Sequence, residues 1–299
     1  MQINKYYLAA LTAFVMWGFF SLALKPIHDY PSLDILFYRV FLSVILISAI
    51  NLLVRRDVLL KDIRLVKQLP KKEQYKVLKV NIGGGILLTA NWFIFIYVMN
   101  HISVKAASFA YLVCPILTTV LAFFILREQL SKWQWTAVGI SALGCVLLSF
   151  NSFSSLFYSL IVAFTYALYL ITQRSNTMLD KFVGLNIQLL TSGILLLPFY
   201  PKFSGPVPME SRFYICLLFI VVMFTIIPLF LNLFALKGVN SSTVGIMLYI
   251  NPIINFLLAV FYYNEAVTEV QLISYSLILI SIIVFNEKLI FNRKLKTVS

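Results

Sequence analysis

LVCPILTTVLAFFILRE at 112–128 and YINPIINFLLAVFYYNE at 249–265 are two versions of one phrase. In each, a proline inside an apolar stretch is followed thirteen residues later by a glutamate at its end, Pro115 to Glu128 and Pro252 to Glu265. The copies stand 137 residues apart in a chain of 299. A fainter echo upstream matches Trp17, Arg39 and Ser43 with Tyr166, Gln188 and Ser192 at an offset of 149. The difference of 12 is absorbed by a longer polar loop at 55–76 in the first half. Repeated apolar halves are a common architecture of membrane transporters, with the solute site between them.

Composition agrees with a membrane setting. The chain is 61% apolar and only 12% charged, more apolar surface than a soluble domain of this length can hide. The charges cluster and leave apolar runs of roughly 18–20 residues, the length a helix needs to cross hydrocarbon. Ten such runs are predicted, near 6–25, 33–54, 77–99, 104–126, 133–150, 154–172, 182–199, 213–236, 241–263 and 269–286. The first is too long for a secretory signal and is followed directly by further spans, so it is read as a helix of the mature protein. The reading is an all-α integral membrane protein of two five-helix repeats, 1–150 and 151–299, the second ending in a short basic tail.

The net charge of +13 follows the membrane and not a nucleic acid, because basic residues crowd Arg55–Lys79 and Lys288–Lys296 beside apolar spans. Placing both termini in the cytoplasm leaves only Lys25, Lys105, Lys202 and Arg212 outside, with Arg39 alone within a span. Five spans per half is an odd number, so the second copy runs opposite to the first: an inverted repeat.

Few polar residues fall inside the spans. Arg39 is the sharpest, because an ionisable group at that depth needs water, a partner or a solute. It either lines a cavity and attracts a carboxylate or phosphate, or snorkels outward, or pairs with Asp34. Its counterpart Gln188 is uncharged. Asn91, beside Trp92, either contacts solute or holds helices together. Trp17 and Tyr166 are cavity-wall candidates. Pro115 and Pro252 each remove a backbone hydrogen bond, which makes them hinge candidates. Tyr111, Tyr249 and Asn251 precede them and face the widened region if the kink opens inward. Gly83, Gly84 and Gly85, and the stripe Ala137, Ser141, Cys145, point to close helix approach.

Catalytic and metal-binding patterns are missing. Cys114, Cys145 and Cys216 have no metal spacing, and there is no HExxH and no paired intramembrane carboxylate. No cofactor is expected. An intramembrane lipid-modifying enzyme lacks a nucleophile here. A receptor or scaffold explains the helices but not the duplication.

With these segments in view, the doubled proline-to-glutamate phrase resembles the EamA repeat of the drug/metabolite transporter superfamily, across nearly the whole chain. MWGFFSLALK at 16–25, DILFYRVFLS at 34–43, ANWFIFIYVMNH at 90–101 and VGIMLYINPIINFLLAVFYYNE at 244–265 are similar to the RarD-like branch. The chain departs from that branch's usual residues at Ser21, Tyr38 and Cys114. The resemblance implies a ten-helix carrier of the bacterial inner membrane with a central cavity; the sequence leaves monomer and homodimer both open. It would export a small amino-acid-like metabolite or a drug-like solute; Arg39 favours an anionic or zwitterionic one, the inverted halves point to alternating access, and the partners are that solute and lipid.

Overall fold

The computed structural model describes residues 5–102, 104–149, 153–264 and 267–287. Among them the chain is predominantly helical, with no strand. The first predicted span is two helices, α1 (Lys5–Gly18) and α2 (Phe20–Leu24). The chain bends there by 44°. Gly18 permits the crossing at this point, since a Cβ on it would sit 2.7 Å from Ile254. There follow α3 (Ser32–Ala49), which runs into a π-turn at Ile50–Val54, then α4 (Arg56–Gln68), α5 (Lys71–His101), α6 (Val104–Leu126) and α7 (Lys132–Ser149). The second half comprises α8 (Phe153–Arg174), α9 (Lys181–Leu196), the single turn α10 (Tyr200–Phe203), α11 (Ser211–Val221), a π-turn at Val222–Ile226, α12 (Ile227–Ala235), α13 (Ser241–Met247), α14 (Ile250–Phe261) and α15 (Glu269–Phe285).

Each predicted span coincides with one of these helices or with a broken pair. By length and hydropathy, 32–54, Lys71–His101, Phe109–Leu126, Ser211–Ala235 and Ser241–Phe261 suffice to cross a membrane on their own, and α1 with α2 makes a sixth if counted as one bent span. Helices α9 and α15 are apolar but shorter, at 16 and 17 residues. The segment 55–76 departs from expectation. It is not a loop: α4 occupies most of it, and α5 begins at Lys71. Apolar and charged residues alternate in RDVLLKDIRLVKQ at helical spacing, so one side can pack while Lys61, Arg64 and Lys67 face out.

The packing is unchanged when the halves are exchanged. Helix α1 packs on α12 and α14, and its counterpart α8 packs on α5 and α6. Helix α3 packs on α11, and its counterpart α9 on α5. The self-paired contacts α3 with α9, α6 with α13 and α7 with α15 close the bundle.

Counterparts α3 and α9 run antiparallel, as two end contacts show. Asp34, at the start of α3, accepts from the Gly205 N–H beyond α9 at 3.0 Å. Asp180, the N-cap of α9, accepts from Arg55 just past α3 at 2.9 Å. The repeat is therefore inverted.

Small residues set the close approaches. A Cβ on Gly85 would lie 2.6 Å from the Gln188 carbonyl oxygen, so α5 and α9 touch through their backbones. Ala137 and Cys145 are buried in the α7–α15 core with Ile278 and Phe285.

Glu128 is not decoration on a loop. Glu128 accepts from the N–H groups of Ser241 (2.7 Å) and Ser242 (3.0 Å) and from the Ser242 hydroxyl, which ties the end of α6 to the start of α13. Glu265 and the tail residues Lys288, Arg293, Lys294 and Lys296 lie outside the described residues.

Candidate functional site

The two repeat copies meet through their own matched residues. The Trp17 ring lies 6.5 Å edge-on from the Tyr166 ring. Residues that exchange under a pseudo-twofold can touch only near its axis, so this pair marks the middle of the molecule between the halves.

The backbone there is irregular for a reason. Pro228 has no N–H to offer the Phe224 carbonyl four residues earlier. The preceding turn is a π-turn, and Trp17 Nε1 donates to that carbonyl at 2.9 Å. Trp17 thus anchors α1 to the π-turn that leads into α12 while its ring stays part of the interhelix wall. Phe20, just past the bend at Gly18, continues that wall with its ring 5.8 Å from Phe224.

Arg39 faces this wall from α3. Its guanidinium lies 4.9 Å from the Trp92 ring centre and 5.7 Å from that of Phe20. Nε is enclosed and has no hydrogen-bond partner. Among the described residues no carboxylate pairs with Arg39. Asp34 is not its partner, because both Asp34 oxygens accept from Gly205 N–H. Outward snorkelling is excluded too, since the head group sits between aromatic rings inside the bundle. Cation–π contact offsets only part of the desolvation of such a cation. The site therefore holds a positive charge with hydrogen-bonding capacity left over. Tyr111 lies in the same cluster, 5.2 Å from Phe95.

The other sequence candidates go elsewhere. Asn91 donates to the Val162 carbonyl (2.9 Å) and Thr165 Oγ1 (3.2 Å), joining α5 to α8. Gln188 is part of a buried amide chain: it donates to Gln173 Oε1 at 2.8 Å and accepts from the Tyr169 hydroxyl at 3.0 Å. Asn176 links Gln173 onward to Asn81. The shared motif survives in the backbone alone, since Ser43 and Ser192 each donate to the carbonyl four residues back, those of Arg39 and Gln188.

Tyr249 is buried in the α7–α15 core with Leu112 and Ile278, apart from the Trp17 cluster. Asn251 accepts from Asn255 at 2.7 Å, and Ser21 donates to Asn255 at 3.3 Å, along the seam of α2 and α14.

The two prolines act differently. Helix α6 continues through Pro115, whereas α13 stops at Met247 and α14 begins at Ile250. The Leu248 carbonyl that Pro252 cannot serve accepts from Asn251 N–H at 3.1 Å, which stabilises the break.

Sequence reasoning overlooked Phe20 and Phe224, two phenylalanines among 26. Pro228 was the available signal, as the proline that frees the carbonyl Trp17 uses. The cluster at the other end of α3 was also missed. Asp62 of α4 accepts from Asp180 N–H at 2.8 Å, beside the Arg55–Asp180 ion pair. Burial pushes the Asp62 carboxyl above its ordinary range, against the Asp180 N–H. Burial acts on Asp180 too, but Arg55 and the N–H groups of Phe182 and Val183 outweigh it and hold that carboxyl low.

Comparison with known proteins agrees with the duplicated fold. The EamA-like transporter family matches residues 4–150 and again 153–286. The chain is 28% identical over 291 residues to an uncharacterized transporter, YojE, of Bacillus subtilis, covering 95% of this chain and 94% of that protein. It is 27% identical over 298 residues to protein RarD of Escherichia coli, covering 98% and 97%. A solved crystal structure superimposes with a TM-score of 0.76 at 16% identity, over 97% of this chain and 99% of the other, a likeness of fold.

Proposed function

This chain belongs to the EamA-like transporter family, and from that premise we propose that it exports a small anionic or zwitterionic metabolite, amino-acid-like or drug-like, by alternating access. Membership makes it a multi-pass membrane transporter and not an enzyme. The finer reading rests on one observation: Arg39, charged and without a carboxylate partner, lies between Trp92 and Phe20 beside the contact of the two halves. A carboxylate entering there meets a bidentate donor, and the rings grip the apolar part of the solute.

The end contacts of α3 and α9 supply the gating. The Asp34–Gly205 contact holds one end of the pair and the Arg55–Asp180–Asp62 cluster the other. Rocking of the halves opens one end while the other stays closed. Bacterial inner membrane, with both termini in the cytoplasm, is the setting that the basic residues favour.

The test is uptake by purified protein in liposomes of a panel of labelled carboxylate metabolites. Arg39→Gln abolishes uptake of the anionic solute and leaves the melting temperature within a few degrees of the parent. Undiminished uptake by a folded Arg39→Gln protein rejects the assignment.

A further inference from the structure

Besides Arg39 Nε, the described residues bury six side-chain polar atoms without a hydrogen-bond partner. One of them, Asn232 Oδ1, adjoins the wall that starts at Arg39. Asn232 lies on α12, one turn beyond Pro228, and is fully buried. Its Nδ2 donates to the Tyr166 hydroxyl at 3.3 Å. Because that hydroxyl accepts, its own proton is unspent, and Oδ1 faces no donor. Exchanging the two ends of the amide only moves the vacancy from acceptor to donor. A buried polar atom left this way costs on the order of 1–3 kcal/mol, so its persistence calls for an explanation.

The surroundings supply one. From the guanidinium of Arg39 the path runs over Phe20 to Phe224, whose carbonyl holds Trp17, and from the Trp17 ring to the Tyr166 ring. Asn232 stands at the far end of that path. Asn51, the other buried amide with unpaired atoms, sits in the π-turn after α3 and off it.

We propose that Asn232 and Tyr166 form the second polar pole of the solute site, selecting a hydrogen-bonding group such as a hydroxyl or amine at the end of the solute remote from its anion. This rests on the reading of Arg39 as the anion pole. The solute is then bipolar, with a flat apolar middle laid on Trp17 and Phe20. A buried amide and hydroxyl left unpaired by a solute lacking that group penalise it, which is how such a pole discriminates.

The experiment compares two probes that differ only in that group, 3-phenylpropionate and 3-(4-hydroxyphenyl)propionate. Binding to the full-length protein in detergent is followed by quenching of its tryptophan fluorescence. The parent protein binds the hydroxylated probe about tenfold more tightly. In Asn232→Leu the ratio falls to about one. Tyr166→Phe, which keeps the ring, also lowers it and serves if Asn232→Leu does not fold. Equal affinities in the parent, or a preference that survives both substitutions, overturn the second pole and leave Arg39 standing. Absence of saturable quenching by either probe, or Arg39→Gln binding both as the parent does, overturns the anion pole and this inference with it.

Discussion

Replacing Gly85 with alanine tests the contact on which the inverted packing depends. The added Cβ would lie 2.6 Å from the Gln188 carbonyl oxygen and 2.6 Å from Thr191 Cβ. Ordinary contact begins near 3.4 Å, so α5 and α9 must part by about 0.8 Å. Thr191 can shift slightly, but the carbonyl is helix backbone and cannot swing away. Overpacking of this kind costs roughly 1–3 kcal/mol. For a chain of this size that lowers the apparent melting temperature by roughly 2–5 °C. Gly83 is the internal control, because nothing lies within 4 Å of its added Cβ. Gly84→Ala falls between, since its near neighbour, Gln173 Nε2 at 2.2 Å, is the end of a side chain. Scanning fluorimetry in detergent should rank stability Gly83→Ala above Gly84→Ala above Gly85→Ala. If Gly85→Ala melts with Gly83→Ala, the two helices are not in backbone contact and the described packing of the halves is wrong.

Glu128→Gln keeps the side-chain length but removes the charge that accepts from Ser241 and Ser242; hydrogen bonds to charged groups contribute about 1.5–3 kcal/mol, so stability should fall by roughly 1–2 kcal/mol, and an unchanged denaturation midpoint would reject its role as a tie between α6 and α13. The two aspartates at the α4–α9 contact predict a two-part pH response. The Asp62 carboxyl is raised in the fold, so its ionised form costs stability; that cost is relieved as pH falls through the folded value towards the unfolded value of about 3.9. The Asp180 carboxyl is lowered, so its contribution is complete above about 3.9 and is lost as pH falls further, through its folded value. The melting temperature should therefore rise slightly on mild acidification and then drop. Asp62→Asn should remove the rise and Asp180→Asn should flatten the drop; a rise that persists in Asp62→Asn excludes that carboxyl as its source.

Linear properties of the chain determined its class and its duplication. Hydropathy summed over a helix length located the apolar helices, five or six of which are long enough to cross a membrane among the described residues, because the bilayer demands apolar length regardless of which way a helix faces. The matched prolines and glutamates revealed the repeat, and five spans per half implied its inversion. Which polar residues work on solute and which hold helices was decided only by the tertiary structure. Asn91 and Arg39 looked alike as isolated polar groups in apolar runs, yet Asn91 is consumed at a helix joint and Arg39 is left over. Gln188, the repeat partner of Arg39, spends its amide on Gln173 and Tyr169. Tyr249 matches the first-half pattern in sequence but points into the α7–α15 core. The physical reason is rotation about the helix axis. In a soluble protein the polar face announces that angle, but a helix that is apolar on nearly every side leaves it to close packing, and close packing exists only once the neighbours are in place.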